Sequence, residues 1–66
     1  MLTSESIASI AMKAARLFAS GKIDASTATR IGTATQRALQ DLQAGKTVED
    51  AELLEAEKRL RQADRG

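Results

Sequence analysis

The positions of the glycines restrict the fold of this chain more than any other feature of the sequence. Proline is absent, and the glycines stand at positions 21, 32, 45 and 66. Helices often end at a glycine in the left-handed conformation, so Gly21 and Gly45 divide the chain into three segments of helical length. We therefore predict an all-α fold, a helical hairpin plus a third helix. The helices are expected over residues 3–20, 24–44 and 47–63.

Apolar residues support this division because they recur at alternating spacings of three and four, the period of one helix face. The stripes are Ile7, Ile10, Ala14 and Leu17; then Ala28, Ile31, Thr35, Ala38 and Leu42; and finally Leu53, Ala56, Leu60 and Ala63. Thr3 is the candidate N-cap of the first helix, and either Asp24 or Ser26 that of the second. Thr47 begins the sequence TVED, which resembles a capping box and predicts the start of the third helix.

The small size of the chain predicts self-association. Its 66 residues form at most one small helical domain, residues 1–66, and folding at this size hides only about 60% of the surface of the unfolded chain. Cysteine and histidine are both absent, so disulfides and the usual metal ligands cannot add stability. We therefore expect a homodimer, and we expect no metal or cofactor.

The distribution of apolar residues argues against a membrane protein. No stretch approaches the roughly 20 apolar residues that a spanning helix requires. The N-terminal sequence MLTSESIASIAMK lacks the charged start and the uninterrupted apolar run of a signal peptide. We therefore expect a cytoplasmic protein.

Enzymatic chemistry is not expected. Histidine, cysteine, tyrosine and tryptophan are all absent, so acid–base or nucleophilic catalysis would depend on exposed Asp, Glu, Lys, Ser or Thr. The sequence AGKT at residues 44–47 is similar to the end of a phosphate-binding loop. However, Gln40 stands where that loop requires its first glycine, and the preceding segment is predicted to be a helix, not a strand.

Gly32 lies inside the second predicted helix and allows two interpretations. It can be the turn of a helix-turn-helix motif, because the twenty residues from Asp24 resemble such segments. Gln36, Arg37 and Gln40 would then reach DNA from the recognition helix. Alternatively, it can be a point where another helix approaches closely.

Two observations favour the packing interpretation of Gly32. Thr27, Thr33 and Asp41 stand at positions where a helix-turn-helix motif requires apolar side chains. The formal net charge of +1 is also low for a dedicated DNA-binding protein. We therefore favour one continuous helix with another backbone against Gly32, and a turn or a contact site for a partner are the alternatives.

The function predicted from the sequence is a non-enzymatic protein-interaction module acting as a homo-oligomer. Chains of this size commonly serve as inhibitors, adaptors or assembly factors, including in phages. The alternative is a small dimeric helix-turn-helix DNA-binding regulator. The residues predicted to bind a partner are Leu53, Leu54 and Leu60 on the third helix and Arg30, Gln36 and Arg37 on the second.

Overall fold

A computed structural model describes residues 2–65, and Met1 and Gly66 lie outside this range. The described part of the chain contains three α-helices. They are α1 (Ser4–Ala19), α2 (Ala25–Gln43) and α3 (Ala51–Arg65). The predicted all-α fold, a hairpin plus a third helix, is thus confirmed.

The ends of α1 follow from local hydrogen bonds. The amide of Ser6 donates to the Thr3 hydroxyl at 3.1 Å, and the amide of Thr3 donates to the Ser6 hydroxyl at 2.9 Å. This reciprocal capping box satisfies amides that have no partner within the helix. Past the other end, Gly21 adopts a φ of 78°, and the Lys22 amide donates to the carbonyl of Leu17. The predictions of Thr3 as N-cap and Gly21 as terminator are confirmed.

The same devices define α2. The amide of Thr27 donates to an Asp24 carboxylate oxygen at 2.8 Å, so Asp24, and not Ser26, is the N-cap. Gly45 has a φ of 81° just beyond the C-terminal end of the helix. Residues other than glycine rarely adopt a positive φ, because their side chain would clash with the backbone. This explains why a glycine ends each of the first two helices.

The predicted start of α3 is wrong by four residues. Val48 is buried in the core, and its carbonyl accepts a hydrogen bond from the Leu2 amide at 3.1 Å. Residues 46–50 are therefore non-helical, and Thr47 does not cap a helix. Asp50 takes that role, because its carboxylate accepts a hydrogen bond from the Glu52 amide at 2.9 Å.

The helices run up, down and up. The hydrogen bond from Leu2 to Val48 joins the chain just before α1 to the chain just before α3. An ion pair of 3.6 Å between Arg16 and Asp64 joins the two helices near their C-terminal ends. The helices α1 and α3 are therefore parallel, and α2 is antiparallel to both in a bundle measuring 36 × 18 × 17 Å.

The core lies along the common axis of the three helices, and its largest fully buried side chains are Ile7, Leu17, Leu53 and Leu60. Leu2 and Val48 close one end of it. The predicted stripes of α1 and α3 face this core. On α2, Ala34 is buried, whereas Ala28 and Leu42 of the predicted stripe are only half-buried.

Candidate functional site

An open groove of about 350 Å³ runs between α2 and α3. These two helices make the least extensive contact of the three helix pairs. Ala34 on α2 and Ala56 on α3 line the groove, and such small side chains do not fill the space between two helices. The other apolar residues that line it are Ile23, Ile31, Leu53 and Leu60.

Charged side chains border this apolar floor. Arg30 stands on the α2 side, and Glu52, Glu55 and Arg59 stand on the α3 side. All four are exposed. Within residues 2–65, none of them forms a salt bridge with another residue of the chain. Their charges are therefore available to a ligand that enters the groove.

Asp24 is ionised beside one end of the groove. The pKa of its carboxyl group is held below the usual range, first by hydrogen bonding with the Thr27 side chain and then with the Thr27 backbone. Arg30 adds a smaller electrostatic contribution in the same direction. This carboxylate fixes the start of α2 and with it the position of Thr27, which lines the groove.

The structure corrects the prediction that Leu53 and Leu60 form a contact surface. Leu53 is 0% exposed and Leu60 is 1% exposed, because the stripe that contains them faces α1 and α2. They contribute to the floor of the groove but mainly hold the bundle together. Leu54 is 46% exposed and does not line the groove.

The predicted polar site residues are separated. Arg30 lies at the edge of the groove, whereas Gln36 and Arg37 are exposed on α2 and do not line it. The sequence does not distinguish Glu52, Glu55 and Arg59 as site residues, because such charges are also typical of a solvated helix face. One feature of the sequence could have indicated the groove. Ala56 is a small residue in the inward stripe of α3, and a small residue there leaves space between two helices.

The structure confirms the continuous helix predicted through Gly32 but not the close contact with another backbone that was predicted there. The helix α2 continues through Gly32, so the turn of a helix-turn-helix motif is not formed there. A Cβ atom added at Gly32 would meet no neighbouring atom within 4 Å, so no other backbone packs against it. The reason is that Gly32 lies on the exposed face of α2. The residues Ile31 and Ala34, which are close to it in sequence, lie on the buried face.

Comparison with protein-family models, with curated proteins and with solved structures finds no match for this chain. Among the described residues, none of the three helices combines the length and the apolar character needed to cross a bilayer.

Proposed function

We propose that the chain is a non-enzymatic protein-interaction module that holds an amphipathic helix of another protein in the groove between α2 and α3. The observation that supports this proposal is the combination of an open apolar floor with four exposed charged side chains at its edges. Such a groove matches the helix-in-groove mode of recognition, in which apolar anchors provide affinity and peripheral charges provide orientation.

The edges of the groove define the chemistry of the partner helix. Its apolar side chains, spaced three and four residues apart, would lie over Ala34 and Ala56. Acidic side chains on one flank would face Arg30, and basic side chains on the other would face Glu52 and Glu55, with an acidic side chain at the end of that flank opposite Arg59. Such a helix is stabilised by the groove in only one direction, because reversing it would bring like charges together.

A module of this kind acts by occupying a surface of its partner, as an inhibitor, an adaptor or an assembly factor in the cytoplasm. The DNA-binding alternative depended on a turn at Gly32, and α2 is continuous there. The DNA-binding alternative has thus lost its main support, and the experiment must distinguish binding to DNA from binding to a protein.

The experiment compares two tryptophan variants. Thr27 lines the groove, whereas Thr29 is exposed and lies outside it. In Thr27→Trp the indole fills the groove, and Thr29→Trp is the matched control with the same substitution on the same helix. Proteins captured from a lysate of the source cells, with and without nuclease treatment, are compared. The bound segment is mapped by cross-linking, and its synthetic peptide is titrated against each variant.

We expect the peptide to bind the wild type and Thr29→Trp equally and to bind Thr27→Trp at least about tenfold more weakly, as for loss of a central anchor. Arg30→Glu should also weaken binding, and the effect should diminish at high salt. Equal affinity of the two tryptophan variants would exclude the groove. Capture that disappears after nuclease treatment would instead favour binding to nucleic acid.

A further inference from the structure

The outward face of α1 is apolar although no other helix covers it. Ala8, Met12, Ala15 and Ala19 follow one another at spacings of four, three and four, and all four are exposed. Met12 lies at the centre of this face and is 73% exposed, the most exposed large apolar side chain among the described residues. We call these four residues the outer seam of α1.

The flank of the outer seam extends the apolar surface. Phe18 is 48% exposed and lies on the side of α1 next to the outer seam. The half-buried Ala11 lies two turns earlier on the same side. The opposite side of α1 contributes Ile7, Ile10, Ala14 and Leu17 to the core. A helix that is apolar on most of its circumference is normally buried on most of it.

Charges in the first turn of α1 and just beyond its C-terminal end support a second copy as the partner and indicate its direction. Glu5 lies in the first turn of α1, three residues before Ala8, and Lys22 lies three residues after Ala19. Both are exposed, and neither forms a salt bridge within residues 2–65. An identical helix laid antiparallel places Glu5 of each copy near Lys22 of the other, whereas a parallel helix would bring like charges together.

We infer that α1 pairs with α1 of a second copy, antiparallel and about a two-fold axis. In this register Met12 packs against Ala15 and Ala8 against Ala19 of the other copy. The alanines allow the helix axes to approach to about 8 Å, the lower end of the usual range. Phe18 of each copy covers Ala11 of the other. This interface is separate from the groove between α2 and α3, so either proposal can fail without the other.

Disulfide cross-linking tests the direction of pairing. The chain contains no cysteine, so every disulfide must involve the introduced residues. Equal amounts of Ala8→Cys and Ala19→Cys are mixed, oxidised under mild conditions and separated by mass. The antiparallel register predicts a mixed disulfide between positions 8 and 19. Predominance of 8–8 and 19–19 disulfides, or of random products, would overturn the inference.

Sedimentation equilibrium tests the surface itself. The wild type should form a dimer whose Kd rises at least about a hundredfold in Met12→Glu, because two carboxylates would be buried without partners. Leu54→Glu, which introduces the same charge at an exposed leucine on α3, should leave the Kd unchanged. Circular dichroism checks that both variants stay helical. A wild type that is monomeric at every concentration, or equal effects of the two substitutions, would overturn the inference.

The end charges give a third measurement. At low salt, Glu5→Lys should raise the dimer Kd by up to about tenfold, because it replaces two attractions by two repulsions. Adding Lys22→Glu to the same chain should restore the wild-type value. A double variant as weak as the single one would exclude the proposed pairing of Glu5 with Lys22.

Discussion

The hydroxyl of Thr35 donates a hydrogen bond of 2.9 Å to the carbonyl oxygen of Gly32, one turn earlier on α2. Thr35 is 3% exposed and is the only buried polar residue among residues 2–65. Its hydroxyl is satisfied within its own helix and needs no partner on α1 or α3. This bond explains how a threonine occupies a position in the apolar stripe of α2.

Replacing Thr35 by valine should therefore preserve or slightly raise stability. The methyl group of Thr35→Val occupies the place of the hydroxyl, and the Gly32 carbonyl keeps its ordinary helical hydrogen bond. We expect the free energy of unfolding to change by less than about 1 kcal/mol. Urea denaturation measures it, with Thr35→Ser as the comparison that keeps the hydroxyl but loses the methyl group. Greater destabilisation by valine than by serine would contradict this account.

Replacing Gly32 by alanine should stabilise the protein. A Cβ atom has free space there, and an alanine inside a helix is favoured over glycine by about 1 kcal/mol. For a domain of this size, that gain corresponds to a rise in Tm of about 4–8 °C. Gly45→Ala is the control and should lower the Tm, because φ at Gly45 is 81°. A loss of stability in Gly32→Ala would indicate a close contact at Gly32, as the sequence alone suggested.

Leu60 and Leu54 should respond differently to truncation. Leu60→Ala leaves a cavity among the three helices and should cost about 2–5 kcal/mol, enough to unfold much of a small domain. Leu54→Ala removes a side chain that is 46% exposed and should cost less than about 0.5 kcal/mol. Thermal denaturation followed by circular dichroism distinguishes them. Similar losses in both variants would show that α3 packs in a different rotation.

The stability of the protein should depend on pH through Asp24, the N-cap of α2. The pKa of this carboxyl is lower in the folded chain than its ordinary value of 3.8. Its stabilising contribution is therefore complete above about pH 5 and is lost as the pH falls through the lower, folded value. Asp24→Asn keeps a good N-cap but cannot titrate. The Tm of the wild type relative to Asp24→Asn should fall between pH 5 and about pH 2, and a constant difference would contradict this role.

Much of the fold could be predicted because its determinants are local. Thr3, Gly21, Asp24 and Gly45 act through hydrogen bonds and backbone angles within a few residues, so their positions in the sequence are informative. The start of α3 is different. Thr47 has an equally good local signal, but burial of Val48 beside Leu2, a contact between distant parts of the chain, keeps this segment non-helical.

The candidate site could be predicted only in part for a related reason. A leucine stripe indicates that one face of a helix is covered, but it does not indicate whether this chain or a partner covers it. Leu53 and Leu60 are covered by the chain itself. The groove depends on how far α2 and α3 stand apart, and no local pattern around Ala34 or Ala56 determines that distance.

The contact between Leu2 and Val48 also has a kinetic consequence. It joins residues separated by the whole of α1 and α2, so its formation closes a long loop, as does the ion pair between Arg16 and Asp64. Contacts of this kind are favoured only after the intervening segments are ordered. We therefore expect the α1–α2 hairpin to assemble first and the long-range contacts, Leu2–Val48 and Arg16–Asp64, to form later. Unfolding of the bundle should then begin at these long-range contacts.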